Sequence, residues 1–143
     1  MAKIRVAQSG TAVAPLPGKI RKLSPTARHC ALWALLLVDS GMTAQQALAT
    51  AFSSASSVAC SAESSGLAPV ERNLCSELVY GYLRTELRIA FILSRVLPRP
   101  QSLPHPLLHV LGLAVYGLLF QDKVPDHAAV FSAVETAQAL YGQ

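Results

Sequence analysis

The feature that most restricts the fold of this 143-residue sequence is an uncharged segment, because residues 100–121 contain no Asp, Glu, Lys or Arg. Such a segment either crosses a membrane or lies at the centre of a helical bundle. Pro104 and Pro106 restrict its continuous helix to residues 107–120. That helix spans about 21 Å, whereas the hydrocarbon core of a bilayer is about 30 Å thick. We therefore predict the central helix of a soluble bundle, surrounded by other helices, and no membrane span.

The sequence before this segment carries signals for the ends of two helices. Ser24 as a cap and Pro25 at the first helical position predict the start of a first helix, and Gly41 predicts its end. Thr43 and Gln46 have the spacing of a capping box, which predicts the start of a second helix. Both segments are rich in apolar residues at helical spacing.

Further helices are predicted on both sides of the central one. Pro69 predicts the start of a third helix, with a break near Thr85 and a fourth helix from there to Leu97. Asp126 is the predicted cap of a last helix that ends at Gly142. No segment shows the alternation typical of a strand. We therefore predict an all-α, single-domain antiparallel bundle of five or six helices. The predicted buried face of the last helix consists of Ala129, Val130, Ala133, Val134, Ala137 and Leu140.

Residues 53–67 contain seven serines and a glycine, Gly66. A segment of such low complexity is typical of an exposed connection between elements. We predict a serine-rich surface loop over these residues, inserted between the second and third helices.

Basic residues are concentrated at the N-terminus. Residues 1–28 contain six of the twelve Lys and Arg residues and no acid, whereas the rest of the chain carries six basic and eight acidic residues. We predict that residues 1–23 form a flexible basic arm and that residues 24–143 form one helical domain. Such an arm suits a nucleic acid or an anionic lipid surface, and the alternative is a solvated tail without a ligand.

The sequence contains no pattern typical of an enzyme. It lacks a phosphate-binding loop, a His-Glu-x-x-His motif and a Gly-x-Ser-x-Gly motif. Its three cysteines form no Cys-x-x-Cys pair, so neither a disulfide framework nor a zinc site is implied, and a reducing cytoplasm fits best. We predict a protein that is not an enzyme and needs no cofactor or metal.

Two pairs of residues at helical spacing have alternative interpretations. His105 and His109 have the spacing of two metal ligands, but they have no acidic or cysteine partner nearby in sequence. We interpret them as a residue at the start of a helix and a packed histidine. Arg88 and Arg95 fall on one narrow stripe of a helix, which either grips phosphate or borders a buried surface, and we favour the second interpretation.

Two stretches of the sequence resemble a known family. Residues 77–84 read Glu-Leu-Val-Tyr-Gly-Tyr-Leu-Arg, and residues 112–130 read Gly-Leu-Ala-Val-Tyr-Gly-Leu-Leu-Phe-Gln-Asp-Lys-Val-Pro-Asp-His-Ala-Ala-Val. With Arg28 in the first helix, they resemble the helical domain shared by the antitermination factor NusB and the N-termini of ribosomal RNA cytosine methyltransferases of the RsmB (Sun/Fmu) type. The second stretch is more similar to the methyltransferase form. The resemblance covers about residues 26–141.

The resemblance implies a helical bundle that binds RNA and protein partners and catalyses no reaction itself. In the antitermination factor NusB the basic N-terminal region and the first helix help to hold RNA, so the resemblance makes Arg28 and its neighbour His29 candidate RNA-binding residues. Lys19, Arg21 and Lys22 of the arm are candidates by position. The expected function is that of a cytoplasmic RNA-binding module, part of a ribosomal RNA methyltransferase or a stand-alone relative in transcription regulation or antitermination.

The sequence departs from the family pattern on its polar surface. Phe131 and Ser132 stand where the family usually has Asn-Glu, and Gln138 stands where a basic residue is usual. The apolar core pattern is retained. The alternative function is therefore a protein-interaction module, with a protein partner or a second copy, that has lost RNA binding. An exposed Phe131 would favour this alternative.

Overall fold

The computed structural model describes residues 26–58 and 66–142. Over these residues the chain forms α-helices joined by short connections and no strand, which confirms the predicted all-α class. The predicted flexible arm, residues 1–23, lies outside the described residues. One 3-10 turn, Pro100–Ser102, precedes the fourth helix. The helices are α1 (Ala27–Asp39), α2 (Ala44–Val58), α3 (Pro69–Val96), α4 (His105–Phe120) and α5 (Asp126–Tyr141).

Helices α1, α3 and α4 each pack against three other helices. Helix α1 packs against α2, α3 and α4, and α4 packs against α1, α3 and α5. The prediction of a central uncharged helix is therefore confirmed, although Leu119 in its last turn is 59% exposed. Among the described helices, none is long and apolar enough to cross a membrane. The largest fully buried side chains are Leu32, Leu35, Cys75, Leu78, Val79, Ile89 and Leu140.

The start of α1 differs from the prediction, because Thr26 and not Ser24 is the cap. The backbone N–H of His29 donates to Thr26 Oγ1 (3.3 Å), which satisfies one of the free donors of the first turn. Gly41 ends the segment with a positive φ of 106°, as predicted. The capping box of α2 is also confirmed, since Thr43 and Gln46 each accept the other's backbone N–H at 3.3 Å.

The first part of the predicted serine-rich loop, residues 53–58, is helical. Helix α2 continues to Val58, and residues 59–65 lie outside the described residues. The hydroxyl of Ser53 donates to the carbonyl of Ala49 (3.0 Å), and Ser56 bonds back in the same way to Phe52 (3.1 Å). These two serine hydroxyls are therefore satisfied within the helix. Ala55, in the same stretch, is buried.

The predicted break near Thr85 is also wrong, because α3 is one helix of 28 residues. The Thr85 hydroxyl donates to the carbonyl of Gly81 (2.8 Å), so that this threonine is accommodated within the helix. The helix ends before Pro98, as predicted. Arg88 and Arg95 of the predicted stripe are both exposed.

Helix α5 begins without a side-chain cap. Asp126 is its first helical residue, and the carbonyl of the preceding Pro125 accepts the backbone N–H of Ala129 (3.2 Å). Ala129 is buried as predicted, but Val130 and Val134 are each 48% exposed. The apolar residues of α5 extend over a wider part of its circumference than α4 shields from solvent. Part of the predicted buried face therefore lies at the surface.

Candidate nucleic-acid interface

The described residues include two of the five candidate RNA-binding residues. Arg28 and His29 lie in the first turn of α1. The other three candidates, Lys19, Arg21 and Lys22, lie outside the described residues. Arg28 and His29 are the first charged or titratable side chains that the structure describes, immediately after the acid-free N-terminal segment.

Arg28 extends from α1 across the surface of α4. A Cβ built on Gly117 of α4 would lie 3.6 and 3.7 Å from the two terminal nitrogens of Arg28, and 3.2 Å from the Cβ of Ala129 on α5. The missing side chain at Gly117 thus allows both the guanidinium and α5 to approach α4 closely. Arg28 borders a small cavity, about 10 Å³ in volume, whose other lining residues are Leu32, Val110, Leu113, Ala114, Ser132, Ala133 and Thr136.

The guanidinium of Arg28 is half-buried and has no acidic partner among residues 26–58 and 66–142. Burial lowers its pKa, but an arginine remains protonated at neutral pH. In the part of the chain that the structure describes, no carboxylate lies within ion-pair distance of it. A guanidinium offers five donors in a planar fork that matches the oxygens of phosphate or carboxylate. Arg28 is therefore available to bind an anion.

The N-terminal end of α1 adds to this positive potential. The first turn of α1 contains no acidic residue, so nothing there opposes the positive end of the helix dipole. Over the described residues as a whole the charges balance, with seven basic and seven acidic side chains. The excess positive charge of the chain thus comes from the segment that precedes α1.

The opposite end of α1 carries a cluster that the sequence did not predict. Asp39 Oδ2 lies 2.5 Å from His109 Nε2 and 3.2 Å from His105 Nδ1. His109 is buried and His105 is the first residue of α4, as predicted, but their acidic partner is distant in sequence. The i, i+4 spacing was the only sequence signal, because Asp39 joins the pair only when α1 packs against α4.

The carboxyl of Asp39 is ionised in this cluster. Burial by itself would raise the pKa of Asp39, but hydrogen bonds from His105 and His109 outweigh burial and lower that pKa to about 2. The hydrogen bond to Asp39 raises the pKa of His105 in turn. The other ring nitrogen of His109, Nδ1, lies 3.0 Å from the hydroxyl oxygen of Tyr82.

Phe131 lies on the exposed side of α5, with 64% of its surface accessible. Val130 and Val134 are exposed on the same helix. The exposure of Phe131 therefore favours a protein-interaction surface.

Comparison with known proteins identifies the domain. The model of the NusB family matches residues 25–143. A probable ribosomal RNA small subunit methyltransferase B of Bacillus subtilis is 33% identical over 76 residues, which cover 53% of this chain and 17% of that protein. The corresponding protein of Synechocystis is 35% identical over 74 residues, 51% of this chain and 17% of its own length.

A third relative, ribosomal RNA small subunit methyltransferase B of Erwinia tasmaniensis, is 37% identical over 68 residues, 47% of this chain and 16% of that protein. The chain thus corresponds to about one sixth of the length of these relatives. No solved structure matches. The family match extends over every described helix, including the two stretches that carry the resemblance, and the chain belongs to the NusB family.

Proposed function

We propose that this protein binds RNA through the positive end of α1. Arg28 and His29 in the first turn, with Lys19, Arg21 and Lys22 before them, form the binding surface. The arm residues attract the phosphate backbone without regard to sequence, and Arg28 provides a directed contact from the folded body.

The observation that carries this proposal is the state of Arg28. Among the described residues the half-buried guanidinium of Arg28 loses hydration without gaining an ion pair, and burial lowers its pKa. Its position next to the acid-free segment, at the positive end of a helix, concentrates positive charge in one place. A phosphate group bound there would supply the negative charge and the hydrogen-bond acceptors that Arg28 lacks among the described residues.

The relatives indicate the kind of RNA. They are named as methyltransferases of small-subunit ribosomal RNA, so we propose ribosomal RNA as the target. In this account the domain is a non-catalytic, cytoplasmic module that engages RNA, either for a methyltransferase or as a stand-alone relative in transcription regulation or antitermination. The bundle holds Arg28 in place relative to the arm and performs no chemistry.

The test compares two substitutions that remove one positive charge each. Arg28→Met keeps much of the apolar stem but removes the guanidinium, and Arg88→Met makes the same change at an exposed position in the second half of α3. Fluorescence anisotropy with a short ribosomal RNA hairpin and a single strand gives the affinity of each. We expect Arg28→Met to weaken binding several-fold and Arg88→Met to leave it within two-fold. Equal effects of the two substitutions would contradict a directed contact at Arg28.

A second candidate function rests on Phe131. Its exposure, together with that of Val130 and Val134, gives α5 an apolar surface of the kind found at protein interfaces. In this alternative the domain binds a protein partner or a second copy of itself, and RNA binding has been lost.

A further inference from the structure

We propose that Asp39, His105 and His109 form a binding site for a divalent transition-metal ion such as Zn²⁺. The three side chains each offer one ligand atom, and these atoms all lie within 4.8 Å of one another. Two imidazole nitrogens and one carboxylate oxygen are a ligand set that zinc and neighbouring metals prefer. The site lies where the C-terminal end of α1 meets the N-terminal end of α4.

Two adjoining helix ends bring the ligands together. His105 and His109 are separated by one helical turn, so both rings lie on the same side of α4, with their centroids 4.9 Å apart. Asp39 is the last residue of α1 and approaches this side of α4 from the neighbouring helix. Two elements of the fold therefore determine the positions of all three ligands.

One separation of the ligand atoms matches that of a metal site, and a second is shorter. In a tetrahedral zinc site, neighbouring ligand atoms are about 3.3 Å apart. His105 Nδ1 and Asp39 Oδ2 are 3.2 Å apart, whereas His109 Nε2 and Asp39 Oδ2 are 2.5 Å apart and share a hydrogen bond. Metal binding replaces that hydrogen bond and requires the Asp39 oxygen to move by about 1 Å. Asp39 is partly exposed at a helix end, which permits this movement.

Tyr82 supplies the outer contact that a ligating histidine needs. A histidine that binds metal through one ring nitrogen commonly donates the N–H of the other to a fixed acceptor. Tyr82 Oη lies 3.0 Å from His109 Nδ1, and a hydroxyl both donates and accepts hydrogen bonds. It can therefore accept the Nδ1–H when Nε2 binds metal, and donate to Nδ1 when Nε2–H bonds to Asp39.

The site is open on one side and has one further carboxylate, that of Glu86, acting on it. The side chains of His105 and Asp39 are 45% and 36% exposed, whereas that of His109 is 7% exposed. An ion can thus enter from solvent and keep a water molecule as a further ligand. The carboxylate of Glu86 on α3 adds a second negative charge that acts on His105.

The test measures Co²⁺ and Zn²⁺ binding by the 143-residue chain, with Mg²⁺ as a hard ion that this ligand set does not favour. Visible absorption of bound Co²⁺ reports the coordination, and calorimetry with Zn²⁺ gives the affinity and the stoichiometry. We expect one ion per chain, with no thiolate-to-metal absorption band. A thiolate band, or the absence of Zn²⁺ and Co²⁺ binding, would overturn the proposal.

The matched variants are His105→Ala and His127→Ala. His105 is the exposed first residue of α4, so its removal leaves the core intact, and His127 is an exposed residue in the first turn of α5. We expect His105→Ala and Asp39→Asn to weaken metal binding at least ten-fold, and His127→Ala to leave it unchanged. Equal affinity of His105→Ala and the unchanged protein would overturn the site.

The metal site and the proposed RNA interface are tested independently. Arg28 and Asp39 are eleven positions apart in α1, or roughly 16 Å along the helix. The metal titration contains no RNA, so its failure would leave the RNA proposal as it stands.

Discussion

The ring of Tyr116 on α4 lies directly against the backbone of Gly81 on α3, where a methyl group would overlap the phenol oxygen. One turn before Tyr116 on α4, the glycine and the tyrosine exchange helices. A Cβ on Gly112 of α4 would lie 2.5 Å from the ring of Tyr82 on α3. In the two stretches that resemble the NusB family, Gly81 of the first thus packs against Tyr116 of the second, and Gly112 of the second packs against Tyr82 of the first. This exchange sets the separation and the register of α3 and α4.

Replacement of Gly81 by alanine is expected to lower the free energy of unfolding by about 1 to 3 kcal/mol, because the new methyl group displaces Tyr116. In a helix interior without such a contact, the same change stabilises by about 0.5 to 1 kcal/mol. Urea denaturation measures the difference. Combining Gly81→Ala with Tyr116→Leu should cost less than the sum of the single changes, whereas a more stable Gly81→Ala protein would refute the close contact.

Removing the charge of Arg28 should weaken RNA binding without lowering the free energy of unfolding. The guanidinium is half-buried without an ion pair among the described residues, so its charge contributes no stabilising attraction to the fold. We expect Arg28→Met to leave the free energy of unfolding within about 0.5 kcal/mol of its original value, or to raise it. Thermal or urea denaturation tests this, and a loss well beyond that range would show that Arg28 serves the fold instead.

Phe131 provides the test of the protein-interaction alternative. If this exposed ring belongs to an interface between copies, the weight-average mass from light scattering should rise with protein concentration. Phe131→Asn should then abolish the rise without a change in helix content. A monomer of unchanged mass in both proteins would contradict self-association through α5.

The two buried thiols are expected to react slowly. Burial raises the pKa of Cys30 to about 11 and that of Cys75 to about 12, with a smaller contribution from Glu71 for Cys30 and from Cys30 for Cys75. At pH 8 roughly one Cys30 thiol in a thousand is ionised, and the reactive thiolate rises about ten-fold per pH unit below the pKa. In a Cys60→Ser protein, iodoacetamide should label both thiols only after denaturation. Rapid labelling of the native protein at pH 8 would contradict their burial.

The elements of the fold follow from local signals, but some of their limits do not. Caps and prolines correctly placed the start of α2 at Thr43 and the end of α3 before Pro98. Serine and threonine gave misleading signals at Ser53 and Thr85, because hydroxyls that bond back to the preceding turn are compatible with a helix. Composition alone does not distinguish a serine-rich loop from a serine-rich helix end.

The contacts between helices could not be read from the sequence. The exposure of Val130 and Val134 depends on how much of α5 is covered by α4, and the approach of Asp39 to His109 joins residues 70 positions apart. Arg28 was identified by resemblance to a family, but only the three-dimensional structure shows that no described carboxylate pairs with it.

The most direct test of the central claim is the salt dependence of RNA affinity. Anisotropy with single-stranded ribosomal RNA between about 50 and 200 mM salt should give a log–log slope of roughly −3 to −4, as expected for four to six phosphate contacts. Neutralising Lys19, Arg21 and Lys22 to Gln should make that slope shallower by about 2. An affinity independent of salt, or a slope unchanged by these substitutions, would contradict RNA binding through the basic segment before α1.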